Sequence, residues 1–68
     1  MKNKVRALRE KRGLTQKELG ELVGVSRQAI NAIETGKFDP SIWLAHNLAE
    51  LFQTSIEALF LFKEEDRK

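Results

Sequence analysis

The feature that most constrains the fold of this chain is a tight turn between two amphipathic helical segments. The first segment opens with Thr15-Gln16-Lys17-Glu18 and ends at Gly24. Its opening is a capping box, in which the Thr hydroxyl and the Glu carboxylate each satisfy a free backbone amide. Ser26 caps the second segment and Gly36 terminates it. Because only three residues separate the two helices, they must cross steeply.

Each residue around this turn has a mechanical reason to be there. Gly20 removes a side chain where the two backbones approach, although glycine costs about 1 kcal/mol in helix propensity. Gly24 takes a positive φ in the turn at little cost, and the side chain of Val25 packs from the turn into the core. Ile30 and Ile33 bury the inner face of the second segment.

The rest of the chain also reads as helical. Asn3 caps a first helix that ends at Gly13, Ser41 caps a fourth helix, and Ser55 caps a short fifth one. The fourth helix carries an apolar arc that forms the centre of the predicted core: Ile42, Leu44, Ala45, Leu48, Ala49, Leu51 and Phe52. The pattern predicts an all-α, compact domain of four to five helices, with a short C-terminal β-strand as an option.

Charge and composition restrict the partners. Residues 1–40 hold nine basic against five acidic residues, a formal +4, whereas residues 41–68 hold three against five, a formal −2. The basic half suits a polyanion. No cysteine is present, which is compatible with a reducing compartment. Neither a long apolar run nor a leader is visible, so we expect no membrane partner and a cytoplasmic protein.

The residues that enzymes require are poorly supplied. The chain has one histidine, His46, no cysteine and no Gly-rich phosphate loop. Glu18 already has a structural role in the capping box. The sequence therefore predicts no catalytic site, no metal, no cofactor and no small-molecule ligand.

The outward face of the second segment carries Arg27, Gln28 and Asn31. Arginine makes paired hydrogen bonds to guanine O6 and N7, and Gln or Asn makes them to adenine N6 and N7. On an ordinary exposed helix such residues only face water. In this turn geometry they stand in the first two turns of the helix, the end that enters the major groove of DNA.

The stretch LTQKELGELVGVSRQAINAIETGKFDPS, from Leu14 to Ser41, resembles the Cro/Xre-type, phage-repressor-like helix-turn-helix regulators. The segment LAHNLAELFQTSIEALF extends the likeness to Phe60, and the chain is similar to short single-domain regulators of the cytolysin-repressor type. The resemblance implies a repressor-like fold over residues 1–62, with the helix-turn-helix at about 15–35 and a charged tail at 63–68.

The resemblance also implies a site. Base contacts fall to Arg27, Gln28 and Asn31 in the third helix, and phosphate contacts fall to three residues beside it: Gln16, Lys17 and Lys37. The first turn of the second helix suits a phosphate, since its backbone amides are free and the helix dipole is positive there. A lysine adds affinity without choosing a sequence.

Four positions in the fourth helix and at its end depart from the family pattern: Trp43, His46, Gln53 and Thr54. Gln53 stands where Gly or Asn commonly ends that helix. Trp43 stands where a charged residue is more usual, and three interpretations are open for it: a partner contact, a wall near DNA, or a partly packed residue.

The run Leu59-Phe60-Leu61-Phe62 is too apolar for all four residues to face one small core. One interpretation is a C-terminal strand that covers its own domain. The preferred one is a homodimer interface made by Leu59, Phe60, Leu61 and Phe62, since the family binds two-fold operators.

Three classes of function follow from these observations. The leading prediction is a sequence-specific regulator of prokaryotic or phage type that binds double-stranded DNA as a homodimer on a palindromic operator, most simply as a repressor. The alternatives are the antitoxin of a toxin–antitoxin pair and a protein-interaction module that has lost DNA binding. The absence of a visible toxin-binding extension counts against the first alternative, and the intact polar face of the third helix counts against the second.

Overall fold

A computed structural model describes residues 1–62 of the chain, and the predicted tail at 63–68 lies outside the described residues. The described part contains five helices and one two-stranded sheet. In chain order the elements are β1 (Lys2–Asn3), α1 (Val5–Lys11), α2 (Gln16–Val23), α3 (Arg27–Glu34), α4 (Ile42–Leu51), α5 (Ile56–Leu59) and β2 (Phe60–Leu61). The predicted helical fold is confirmed, and so is the short C-terminal strand.

Hydroxyl caps fix the starts of four of these helices. The side chains of Thr15, Ser26, Ser41 and Ser55 each accept a hydrogen bond from the backbone N–H three residues later. At α2 the capping box is complete, because the Glu18 carboxylate accepts the Thr15 N–H at 2.9 Å. This backbone hydrogen bond from Thr15 lowers the pKa of Glu18.

The turn between α2 and α3 has the predicted close approach. Gly24 adopts φ 78°, the left-handed conformation that glycine tolerates. The Val25 N–H donates to the Gly20 carbonyl at 2.9 Å. A Cβ added at Gly20 would lie 2.5 Å from the Val25 carbonyl oxygen, which is backbone and unable to swing aside. The steep crossing therefore requires glycine at position 20.

One apolar cluster from all five helices and β2 forms the core. It consists of Val5, Leu19, Ile30, Ile33, Ala45, Leu48, Ala49, Phe52, Leu59 and Phe60. The prediction that Ile42 belongs to this core is wrong, since the residue is 71% exposed. Ile42 is the first residue of α4 and lies beyond the end of the buried stripe, which starts at Ala45 and runs at helical spacing to Phe52.

The two ends of the described chain pair in an antiparallel ladder, with Lys2 opposite Leu61 and Asn3 opposite Phe60. This pairing corrects the predicted role of Asn3 as the residue that caps α1, because Lys4 holds the cap position. From the strand, the Asn3 side chain accepts the Val5 N–H at 3.1 Å and donates to the Ile33 carbonyl at 2.9 Å. Asn3 thus fastens β1 to the end of α3.

The end of α4 explains why its family pattern favours Gly or Asn at position 53. Gln53 has φ 56°, and among the described residues it is the one non-glycine residue with a positive φ. The N–H groups of Gln53 and Thr54 donate to the carbonyls of Glu50 and Ala49, which is the hydrogen-bond pattern of a Schellman cap. A side chain at this left-handed position costs roughly 1–2 kcal/mol.

Replacing Gly20 with alanine tests the close approach. We expect Gly20→Ala to lower the free energy of unfolding by about 2–3 kcal/mol, because the new methyl group forces the backbones apart. Alanine improves helix propensity by about 1 kcal/mol, so the sign of the change is diagnostic. Urea unfolding followed by circular dichroism measures it. Glu21→Ala, at the neighbouring exposed position, is the control and should change stability by less than about 0.5 kcal/mol. A stabilised Gly20→Ala variant would contradict the close approach of the two backbones.

Replacing Gln53 with glycine tests the strained cap. We expect Gln53→Gly to raise the free energy of unfolding by about 0.5–1 kcal/mol, because relief of the left-handed strain outweighs the greater entropy of glycine in the unfolded chain. Glu21→Gly is the matched control in an exposed helix interior and should lose about 0.5–1 kcal/mol. Equal losses in the two variants would mean that position 53 is not strained.

Candidate nucleic-acid interface

The third helix separates its residues cleanly between core and solvent. Ile30 and Ile33 are completely buried, whereas Arg27, Gln28 and Asn31 are exposed on the opposite side. Arg27 and Gln28 are the first two residues of α3, directly after the cap, and Asn31 follows one turn later. The structure thus brings the three predicted base-reading residues together on one accessible face.

This face has the chemistry of a surface that binds base edges. A guanidinium offers a fork of donors, and each carboxamide offers both a donor and an acceptor. Such groups match the donor and acceptor patterns of the major groove, which is wide enough to admit an α-helix.

Two of the predicted phosphate-binding residues flank α3 and are free to point into solvent. Lys17 is exposed in the first turn of α2. Lys37 is exposed just after α3, beyond Gly36, whose φ is 76°. The Lys37 backbone N–H donates to the Ala32 carbonyl at 2.9 Å, so a phosphate contact at this position depends on the side-chain ammonium.

The third predicted phosphate-binding residue, Gln16, is engaged within the protein. Its Nε2 donates to Asn31 Oδ1 at 3.2 Å and to Glu34 Oε1 at 3.1 Å. A carboxamide nitrogen has only two hydrogens, and these two bonds use both. A phosphate contact at Gln16 therefore depends on backbone N–H groups of the first turn of α2, which have no partner within the helix.

Behind Gln16 lies an ion pair between Arg9 and Glu34. Arg9 Nε donates to Glu34 Oε2 at 2.6 Å and Arg9 Nη2 donates to Glu34 Oε1 at 3.3 Å. The side chains are only 11% and 2% exposed, respectively. The hydrogen bond to Glu34 is the main reason that the pKa of Arg9 is raised. Arg9 Nη1 also donates to the Leu14 carbonyl at 2.7 Å, which ties α1 to the start of α2.

Sequence reasoning missed the part played by Arg9 and Glu34. A signal for the pair was present, since Glu34 follows Ile30 by four residues and Ile33 by one, which places it at the inner edge of α3. A carboxylate at such a position needs a buried partner, and α1 supplies the arginine.

The predicted interface at 59–62 divides into two halves. Leu59 and Phe60 are buried in the core of their own domain, whereas Leu61 and Phe62 are exposed. Of these four residues, only Leu61 and Phe62 can therefore contact a partner while the domain stays folded.

The interpretation of Trp43 as a partly packed residue is wrong. The residue is 74% exposed, and its ring meets that of His46 edge to face, with the ring centroids 6.3 Å apart. A partner contact and a wall near DNA stay open for it. None of the helices in residues 1–62 has the length and apolar character needed to cross a lipid bilayer.

Comparisons with known proteins agree with this geometry. Residues 5–59 match the model of the Helix-turn-helix family. An uncharacterised HTH-type transcriptional regulator of Methanocaldococcus jannaschii is 46% identical over 97% of this chain and 100% of its own length. A Bacillus subtilis protein, the uncharacterised HTH-type transcriptional regulator YgzD, is 46% identical over the same shares of the two chains.

A solved structure is similar as well. The crystal structure of the P22 c2 repressor protein in complex with a synthetic operator superimposes with a TM-score of 0.81 at 33% identity, covering 85% of this chain and 88% of the repressor chain. The family match, the relatives and this fold lead to one conclusion. The chain belongs to the Cro/C1-type helix-turn-helix family and is a DNA-binding transcriptional regulator rather than an enzyme.

Proposed function

We propose that this protein is a repressor that binds a palindromic operator as a homodimer in the cytoplasm, with α3 of each subunit in the major groove. The observation that carries the proposal is the composition of α3, whose buried isoleucines fix the helix while Arg27, Gln28 and Asn31 stand exposed on the other side. The structural likeness to a repressor bound to its operator supports this assignment. Repression then follows from occlusion of a promoter.

The residues divide the work of recognition between specificity and affinity. Arg27, Gln28 and Asn31 contact base edges, and each good bidentate contact contributes about 1–3 kcal/mol of discrimination. Lys17 and Lys37 neutralise phosphates on either side, together with the backbone N–H groups at Gln16. The phosphate contacts release counterions, so binding weakens as salt rises.

The second copy of the chain is held by an apolar surface around the end of β2. Phe62 is 62% exposed, and it lines an apolar groove with Ile42 and Ile56, beside the exposed Leu61. Burying this surface in a two-fold contact removes apolar area from water. A symmetric dimer places its two recognition helices about 34 Å apart, one turn of DNA, as a palindromic site requires.

Substitutions at Arg27 and Lys37 separate base contacts from phosphate contacts. Arg27→Ala should weaken binding to an operator selected from random DNA by about 1–3 kcal/mol and weaken binding to random DNA less, since the lost hydrogen bonds are sequence-specific. Lys37→Ala should weaken binding to both DNAs alike, since it loses one phosphate contact. The slope of log K against log salt concentration should fall in magnitude by about 1. Fluorescence anisotropy at several salt concentrations measures both effects. Equal losses on operator and random DNA for Arg27→Ala would contradict its role in reading bases.

A charged substitution at Phe62 tests the dimer. Phe62→Asp should convert the dimer to a monomer at micromolar concentration, because the substitution puts a charge into the apolar contact. Sedimentation velocity measures the change. Leu22→Asp is the matched control and should leave the dimer intact. Leu22 is also an exposed apolar residue, but it lines a separate groove with Asn47 and Leu51. A wild-type monomer, or a dimer that survives Phe62→Asp, would contradict this interface.

A further inference from the structure

The hydrogen bonds of Gln16 connect the Arg9–Glu34 ion pair to the proposed DNA-binding surface of α3. The residue is half-buried in the first turn of α2, between the exposed Asn31 and the side chain of Glu34, which is only 2% exposed. Its Nε2 lies 3.1 Å from Glu34 Oε1 and 3.2 Å from Asn31 Oδ1. A single amide group therefore contacts both the internal ion pair and a base-reading residue.

The orientation of the Gln16 carboxamide follows from the chemistry of Glu34. Both Glu34 oxygens accept hydrogen bonds from Arg9, at 2.6 Å and 3.3 Å. A carboxylate in this ion pair can only accept. The side of Gln16 that faces Glu34 must therefore be the donor Nε2, because Oε1 would be repelled.

The orientation of Asn31 follows in turn from that of Gln16. The second hydrogen of Gln16 Nε2 points to Asn31, so Asn31 must offer its acceptor Oδ1. Its Nδ2 is then the group left to meet a ligand, and within residues 1–62 this nitrogen donates no hydrogen bond. The Arg9–Glu34 pair thus determines, through Gln16, that the Asn31 carboxamide turns Oδ1 inward and Nδ2 outward.

We propose that Gln16 is a positioning residue for sequence recognition, which holds the Asn31 carboxamide so that Nδ2 is presented to DNA as a hydrogen-bond donor. The proposal rests on the proposed function, in which Asn31 contacts a base. A presented donor selects a base with an acceptor in the major groove: a purine N7, guanine O6 or thymine O4. It disfavours cytosine, whose group there is the donor N4.

The role differs from that of a phosphate contact in what it changes. A residue that binds phosphate alters affinity for every sequence to the same degree. A residue that orients Asn31 alters the preference at the one base pair that Asn31 contacts. The two roles are therefore distinguishable in a single binding experiment.

The experiment measures binding of the full chain to operator variants that carry each of the four base pairs at every position. Gln16→Met removes both hydrogen bonds and keeps the length of the side chain. We expect it to reduce discrimination at one base pair by about three- to tenfold, the range for loss of one hydrogen bond, and to leave the other positions unchanged. Lys17→Met, the neighbouring residue in the same turn, is the matched control and should weaken all variants equally.

A second pair of variants tests whether Gln16 acts through Asn31. In the Asn31→Ala background, Gln16→Met should cause no further change of base preference, because the residue that it positions is gone. A uniform loss on all sequences for Gln16→Met, or a change of preference that persists without Asn31, would overturn the proposal. A wild-type protein that shows no preference for any sequence would instead overturn the proposed function, and the proposal with it.

A measurement without DNA tests the hydrogen bond between Gln16 and Asn31 directly, and its wild-type part needs no variant. In the wild-type protein, NMR relaxation should show a more ordered side-chain NH₂ group for Asn31 than for Gln28, which is exposed on the same helix without such a bond to Gln16. Gln16→Met should bring Asn31 to the mobility of Gln28. Equal mobility of the two groups in the wild type would overturn the proposal.

Discussion

The buried ion pair between Arg9 and Glu34 is the interaction on which the arrangement of α1, α2 and α3 depends. It joins α1 to α3, and the third guanidinium bond, to the Leu14 carbonyl, fixes the chain just before α2. Removing one partner of such a pair typically costs about 3–5 kcal/mol, because the other charge is left buried without compensation. Its value here goes beyond stability, since Glu34 also anchors Gln16 and thereby sets the relation between α2 and the surface of α3.

The features that the sequence predicts well are local ones. The hydroxyl caps at Thr15 and Ser26, the left-handed Gly24 and the close approach at Gly20 each depend on residues within one or two turns of helix. The exposure of Arg27, Gln28 and Asn31 could be predicted for the same reason, since helical periodicity alone separates them from Ile30 and Ile33.

The features that the sequence does not predict depend on residues far apart in the chain. Pairing of β1 with β2 takes Asn3 out of its expected cap and holds Phe60 against the core, although each residue fits the local pattern of its expected role. The Gln16 side chain looks like a free phosphate ligand until the position of Glu34, eighteen residues away, is known. Helical periodicity likewise extends the apolar arc of α4 to Ile42, and only the limits of the core show that the arc stops short of it.

The ladder between β1 and β2 has a consequence for how the chain folds. It joins residues that are almost the whole length of the chain apart, so its loop closes late, whereas α2 and α3 pack across a turn of three residues. We therefore expect the local contact between α2 and α3 to form before the ladder. The exposed surface at Leu61 and Phe62 takes shape only when that strand docks, so any contact that uses this surface forms after the tertiary structure is complete.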